Sequence, residues 1–193
     1  MARPRQFDES EVLDAATRCF WRHGYQATSM RDLAAETNLT GASLYNAFGD
    51  KRALYRRVLA HYARHGSLQR IGELEGTLPP ARAIRVFLQD IIERSLDDQD
   101  HKGCLLVNSA LELAPEDEEL QQAVNEQLAE LEAFFWRCVR AGQKDGSISD
   151  QRPARELARF LLGILMGIRV LARAQPRRAT LEAVLRPALS VLA

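Results

Sequence analysis

The stretch "LTGASLYNAFGDKRALY", residues 39–55, decides the fold of the N-terminal part of the chain. After its first residue, only two large apolar side chains, Leu44 and Phe48, precede its Gly-Asp-Lys break, and they are four residues apart. At about 100° per residue they share one side of a short helix, while Ala42 and Asn46 point to the opposite side. The stretch therefore predicts a short helix with one anchoring stripe and a polar outer face.

Two further helices are predicted before this one. The first begins at Asp8, an acidic N-cap, and ends at Gly24, which suits a left-handed C-cap. The second, of about eight residues, is capped by Thr28 or Ser29 and ends at Asn38. Three helices joined by tight turns are the layout of a helix-turn-helix, whose second element enters the major groove of DNA. A small three-helix unit with a merely solvated face has the same spacing, so spacing alone leaves that alternative open.

Small side chains on the outer face of the third helix would let its backbone approach base edges. Asn46 can both donate and accept, a pairing favoured with adenine. The free N–H groups at the helix start favour a phosphate, and Arg3 and Arg5 lie on an N-terminal arm that could reach a groove or the backbone. The predicted DNA-contacting residues are Arg3, Arg5, Thr28, Arg31, Thr40, Gly41, Ala42, Ser43, Tyr45, Asn46 and Lys51.

The segment "FWRHGYQATSMRDLAAETNLTGASLYNAFGDKRALYRRVL", residues 20–59, resembles the DNA-binding domain of the TetR family of bacterial transcription regulators. Asn46 and Ala47 stand where many members carry Tyr-His before the Phe, which leaves the operator sequence open. The matching positions are Phe20, Gly24, Tyr25, Thr28, Leu33, Ala34, Gly41, Leu44, Tyr45, Phe48, Lys51 and Leu54.

The resemblance implies an all-α protomer, with a helix-turn-helix domain at 1–50 and a helical regulatory and dimerisation domain at 51–193. It also implies a homodimer on a palindromic double-stranded operator, a release caused by a small-molecule effector, and a repressor without cofactor or enzymatic activity. The residues themselves agree with an all-helical chain. Ala, Leu, Arg and Glu are abundant, aromatic residues make up 7%, and apolar periodicity marks about nine helices.

The charge pattern and the absence of targeting signals narrow the class further. The net charge is zero, but residues 1–57 carry +2, residues 58–136 carry −9 and residues 137–193 carry +7. The N-terminus "MARPRQFDESE" is polar, unlike a signal peptide, and "FLLGILMGI" at 160–168 is too short to span a bilayer. We expect a cytoplasmic protein without a membrane partner.

The helix at 154–174 is apolar over most of its circumference, which predicts burial on several sides. Gly163 and Gly167, four apart, would let another backbone come close, and such a pairing suits a twofold dimer. Closure of the protomer's own core is the alternative. The predicted interface, shared with the last helix, consists of Leu157, Phe160, Leu161, Gly163, Ile164, Gly167, Ile168, Leu171, Leu181, Val184, Leu185 and Leu189.

A ligand pocket is predicted around "GCLLVNSALEL", residues 103–113, where polar groups stand among apolar neighbours. Bonds to neighbouring helices would satisfy the same groups equally well. Cys104 begins a helix, a position that raises thiol reactivity, so a repressor that senses electrophiles or oxidants through Cys104 is the alternative function. A cysteine buried as a small apolar side chain is the other interpretation of Cys104. The predicted pocket residues are Phe87, Ile91, Cys104, Asn108, Glu112, Phe134, Phe135 and Ile164.

Other chemistry finds little support in the sequence. His61 and His65 have a spacing that can chelate a metal, but no third ligand is evident and no metal site is predicted. An enzyme with a bundle active site is disfavoured because the chain has no phosphate loop, nucleophile elbow or zinc-binding His-Glu motif. A helical adaptor without DNA is the remaining alternative.

Overall fold

The computed structural model describes residues 7–113 and 117–193, and these residues form an all-helical protomer without β-strands. The predicted fold class is confirmed. Ten α-helices follow one another: α1 Glu9–His23, α2 Met30–Thr37, α3 Gly41–Phe48, α4 Lys51–Ala63, α5 Gln69–Leu74, α6 Pro80–Leu96, α7 Leu105–Glu112, α8 Glu118–Asp145, α9 Ala154–Ala174 and α10 Arg178–Ser190.

Helices α4 and α5 are joined by a π-helical turn, Arg64–Leu68, into one continuous helical run. Counted as one, this run gives nine helices in the described residues, in agreement with the sequence. The sequence, however, predicts only a weak connection from residue 66 onwards, because Gly66 and Gly72 lie there. Each glycine costs up to about 1 kcal/mol in a helix, and burial of Ile71 and Leu74 against the core offsets that cost.

Two clusters of buried side chains form the interior. One joins α5, α6, α9, α10 and most of α8, and at its centre the rings of Phe87, Phe134 and Phe135 pack edge-on or tilted, 5.1–5.9 Å apart. The other joins α1–α4 with α7 and the first turns of α8. The N-terminal unit is thus anchored to α7 and α8 by apolar packing through α4.

Polar contacts reinforce this junction between the N-terminal unit and the rest. The Tyr55 hydroxyl on α4 lies 2.8 Å from Ser109 Oγ on α7, in a buried pair. His61 Nε2 on α4 lies 2.7 Å from Asp14 Oδ1 on α1. Glu112, at the end of α7, accepts from the backbone N–H of Gln26 at 3.3 Å. Helix α4 therefore contacts both parts of the molecule.

None of the helices in the described residues is long and apolar enough to cross a membrane. Nor do those residues gather three or more His, Cys, Asp or Glu side chains around a common point where a metal could bind. His65 instead places its Nδ1 3.0 Å from the carbonyl of His61.

Candidate nucleic-acid interface

Helix α2 begins at a capping box, which fixes the start of the helix-turn-helix. Ser29 Oγ accepts from the N–H of Asp32 at 3.2 Å, and Asp32 Oδ2 accepts from the N–H of Ser29 at 2.9 Å. The hydrogen bonds from Ser29 lower the pKa of the Asp32 carboxyl below its ordinary value. Ser29, and not Thr28, is therefore the cap. The helix ends at Asn38, whose left-handed φ of 55° turns the chain toward α3.

Helix α3 has the division into two faces that the sequence predicts. Thr40 caps it, accepting from the N–H of Ser43 at 3.1 Å. Leu44 and Phe48 are buried, and Phe48 packs against Phe7 with ring centroids 6.1 Å apart. The anchoring stripe thus holds α3 against α1, α2 and α4, and the opposite face is left outside.

Most of the predicted contact residues lie on the surface. Tyr45 is 55% exposed, more than is usual for a large aromatic side chain. Also exposed are Thr40, Gly41, Ala42 and Asn46, and Ser43 is partly exposed. Arg31 is exposed on the first turn of α2. Arg3 and Arg5 lie outside the described residues.

Two predicted contacts are corrected by the structure. Thr28 is 1% exposed, and its hydroxyl donates to the carbonyl of Gly24 at 2.6 Å. Lys51 Nζ donates to the carbonyls of Tyr25 and Thr28, each at 3.0 Å, and lies 4.3 Å from the centroid of the Tyr25 ring. Thr28 closes the turn between α1 and α2 on itself, and Lys51 holds this turn against α4, because unpaired backbone carbonyls there need donors.

The predicted ligand pocket does not exist as one site. Phe87, Ile91, Phe134 and Phe135 are core residues of the α6–α8–α9 cluster, whereas Cys104 belongs to the other cluster. Sequence periodicity detects an apolar face but not which of two cores it enters.

The polar members of the predicted pocket have protein partners. Asn108 Oδ1 accepts from Arg173 at 2.5 Å and its Nδ2 donates to the carbonyl of Lys102 at 3.0 Å. Glu112 binds the α1–α2 turn. Cys104 does stand at the N-cap of α7, as predicted, but it is only 8% exposed, and its Sγ accepts from the Tyr62 hydroxyl at 3.8 Å. Burial raises the pKa of the Tyr62 hydroxyl, and the neighbouring Cys104 thiol raises it further.

A cavity of about 360 Å³ lies elsewhere, at the junction of the two parts of the molecule. None of the predicted pocket residues lines it. Its walls come from residues up to about 160 positions apart, so no local pattern could reveal it. Its main lining residues are Asp14, Arg18 and Trp21 of α1, His61 and Tyr62 of α4, Arg94 and Ser95 of α6, and Arg169 and Arg173 of α9.

The predicted dimer residues fall into two groups. Six of them are buried within the protomer, so for these the closure of the protomer's own core is the correct interpretation. These six are Leu157, Leu161, Ile168, Leu181, Leu185 and Leu189. The other members lie fully or partly at the surface: Phe160, Gly163, Ile164, Gly167, Leu171 and Val184.

An outer face of α9 runs through Phe160, Gly163, Gly167 and Val170, on the side opposite its core residues. Phe160 is 40% and Val170 47% exposed, and a Cβ added to either glycine would meet nothing within 4 Å. Val170, and Val191 beyond the end of α10, are exposed apolar residues that the sequence prediction omitted. This face is apolar, and among the described residues it stays partly or fully exposed.

Helices α1 and α2 hold the short helix α3 with one face outward, and this unit is attached to a larger helical body. This arrangement defines a helix-turn-helix protein. Residues 12–58 match the family model "Bacterial regulatory proteins, tetR family", and residues 80–187 match "Tetracyclin repressor-like, C-terminal domain". The chain belongs to the TetR family of transcriptional regulators, a class of regulators rather than of enzymes.

Individual relatives agree with this assignment. The uncharacterized HTH-type transcriptional regulator YezE of Bacillus subtilis (strain 168) is 31% identical over 162 residues, which cover 83% of this chain and 84% of YezE. The HTH-type transcriptional repressor ComR of Escherichia coli (strain K12) is 29% identical over 174 residues, 89% of this chain and 82% of ComR. A solved structure of a cysteine mutant of the TetR family regulator CifR, complexed with 26-bp double-strand operator DNA, superposes with a TM-score of 0.86. It is 32% identical and covers 99% of this chain and 100% of that one.

Proposed function

We propose that the chain is a repressor that binds a palindromic double-stranded operator as a homodimer and leaves it when a small molecule binds. The outer face of α3 carries this proposal, because Leu44 and Phe48 fix the helix while Tyr45 and Asn46 stay exposed. The operator complex of CifR and the repressor ComR support it.

The outer face of α9 supports the dimer. Exposed apolar side chains beside two open glycines suit close packing against the same face of a second copy, as a twofold contact requires. In such a dimer the two α3 helices must lie roughly 34–36 Å apart to enter successive major grooves.

Helix α4 is the element through which an effector would act. It contacts Asp14 on α1 and Ser109 on α7, so a change in the body of the molecule displaces the N-terminal unit. An effector that binds more tightly to a conformer in which the two α3 helices cannot enter successive major grooves shifts the population away from DNA.

The Asn46→Ala variant tests the proposal. On duplexes selected from a random pool by the wild-type protein, we expect its specific affinity to fall by roughly 10- to 100-fold, since a good base contact contributes about 1–3 kcal/mol. Fluorescence anisotropy at fixed salt measures the affinity for selected and scrambled duplexes.

Asn125→Ala is the matched control, because Asn125 is an exposed asparagine on α8. It should bind like wild type. If the wild-type protein selects no DNA, the adaptor hypothesis gains. If both variants bind the selected duplexes as tightly as wild type, Asn46 is not a base contact and the outer face of α3 loses its proposed role.

A thiol-responsive repressor is the second candidate. The observation in its favour is that Cys104 begins α7 and that its neighbours Gly103 and Tyr62 line the junction cavity. In the same assay, N-ethylmaleimide would release wild-type protein but not Cys104→Ser from the operator. Equal behaviour of the two proteins excludes this candidate.

A further inference from the structure

The cavity at the junction has walls from both parts of the molecule. Helix α1 contributes Trp21 and Arg18, whereas α9 contributes Arg169 and Arg173. A molecule held in this cavity would contact the helix-turn-helix unit and the C-terminal body at once. Its volume of about 360 Å³ is within the range of small-molecule sites, about 300–1,000 Å³.

The positive charges of the cavity are not balanced from within. Arg169 and Arg173, one turn apart on α9, donate to neutral acceptors, Ser95 Oγ at 3.1 Å and Asn108 Oδ1 at 2.5 Å. Within residues 7–113 and 117–193 neither guanidinium has a carboxylate partner. A guanidinium matches the planar, two-oxygen geometry of a carboxylate, and such charge-assisted bonds are the stronger ones.

The two carboxylates that also line the cavity are already engaged. Asp14 Oδ1 lies 2.7 Å from His61 Nε2, and Asp98 Oδ1 forms an ion pair with Lys102 Nζ at 2.9 Å, although this buried oxygen accepts no hydrogen bond among the described residues. Burial alone would raise the pKa of Asp98, but Lys102 and the N–H of Gly103 outweigh it and hold that pKa below the ordinary value. The carboxylates therefore leave the arginines of α9 free for an incoming anion.

Aromatic side chains supply an apolar wall. Trp21 and Tyr62 pack edge to face, with ring centroids 5.1 Å apart at 76°. Trp21 Nε1 is buried and has no hydrogen-bond partner among the described residues. That N–H is covered by protein atoms, so Trp21 offers the cavity its apolar ring, against which a ligand with an apolar body would pack.

The backbone places Arg173 at the cavity. Its aliphatic stem passes over Gly103, where a Cβ would meet Arg173 Cδ at 2.9 Å, and Gly103 has a left-handed φ of 73°. Glycine is needed there on both counts. This close passage places the guanidinium of Arg173 beside Asn108 and the cavity.

We propose that the cavity binds a small organic carboxylate with an aromatic or apolar body, through Arg169 and Arg173 on one side and Trp21 on the other. Because this ligand would bridge the two parts, it is the effector of the repressor proposed above. Binding itself does not depend on that proposed function, whereas the effect on DNA does.

The test compares benzoate, phenylacetate and naphthalene-2-carboxylate, each with its primary amide, and adds phenyl phosphate. Ligands are titrated into the full-length protein without DNA, with thermal shift and tryptophan fluorescence as readouts. We expect at least one carboxylate to bind about tenfold or more tightly than its amide, as charged hydrogen bonds of about 1.5–3 kcal/mol imply. The fluorescence change should disappear in Trp21→Phe.

The double variant Arg169→Gln with Arg173→Gln should lose this preference for the carboxylate and bind the amides as before. Its control, Arg82→Gln with Arg85→Gln, removes the same charge from exposed positions of α6 that do not line the cavity and should keep the preference. The proposal is overturned if no carboxylate exceeds its amide, if phenyl phosphate exceeds every carboxylate, or if the control variant loses as much.

On a selected operator, the preferred carboxylate should lower the affinity of wild type and leave that of the double variant unchanged. Carboxylate binding without any operator binding would contradict the repressor and leave the site standing. Operator binding that no carboxylate alters, despite binding in the cavity, would contradict its role as effector.

Discussion

Lys51 illustrates how a single side chain can be assigned the wrong role from its position in the sequence. It follows the recognition helix and suits a phosphate contact, yet its ammonium group donates to two backbone carbonyls of the α1–α2 turn. Arg31, by contrast, is exposed at the start of α2 and free to meet DNA. The two basic residues should therefore respond differently to replacement.

We expect Lys51→Met to lower the free energy of unfolding by about 1–3 kcal/mol, because two partly buried carbonyls lose a charged donor. Arg31→Gln should change stability by no more than about 0.5 kcal/mol, since surface substitutions rarely do more. It should instead make the slope of log affinity against log salt concentration shallower by the equivalent of about one phosphate contact. Urea denaturation and anisotropy at several salt concentrations measure both effects, and a stable Lys51→Met protein with a reduced salt slope would restore the phosphate role.

At the scale of elements, α9 serves two surfaces at once. Leu157, Leu161 and Ile168 enter the protomer core, while Phe160 and Val170 stay outside beside two open glycines. A single helix can therefore complete the core and still offer a face to a second copy.

We expect Gly167→Arg to leave the protomer folded and to abolish the dimer, since the new side chain enters space that is open in the protomer. Light scattering after gel filtration should show half the wild-type mass, with an unchanged circular dichroism spectrum. Gly72→Arg is the control, because Gly72 is a helical glycine on α5 where an added Cβ would likewise meet nothing within 4 Å. A Gly167→Arg protein that remains dimeric would place the interface elsewhere.

For the whole molecule, the buried Tyr55–Ser109 pair joins the N-terminal unit to α7. Burial raises the pKa of Tyr55 from 10 to about 12, and the hydrogen bond with Ser109 only partly opposes this. The folded state therefore holds the Tyr55 proton more tightly than the unfolded state does. The resulting stabilisation is complete below pH 10 and is lost as the pH rises through 12.

We expect the free energy of unfolding of wild type to decline between pH 10 and 12 by about 2–3 kcal/mol more than that of Tyr55→Phe. At pH 8 the variant should be less stable by about 1 kcal/mol, the contribution of one buried hydrogen bond. Urea denaturation across this pH range is the measurement. Tyr45→Phe, which removes an exposed hydroxyl, should match wild type at pH 8, and parallel pH profiles for wild type and Tyr55→Phe would refute the assignment.

The sequence by itself determined the helices other than α5, the N-caps of α1 and α3, and the two faces of α3. The reason is that these features depend on residues within a few positions of one another. Thr40 meets Ser43, and Leu44 and Phe48 share a face whatever the rest of the chain does. The apolar pattern likewise predicted burial of α9 on several sides, of which the protomer supplies the core side.

The tertiary structure alone decided which apolar residues enter which core, and it placed Phe87 and Cys104 in different ones. It also decided that Lys51 and Thr28 turn inward and that Trp21 and Arg173 line one cavity. The reason is physical: such contacts depend on how whole helices pack, and periodicity along the chain records only that a face is apolar, not what it faces.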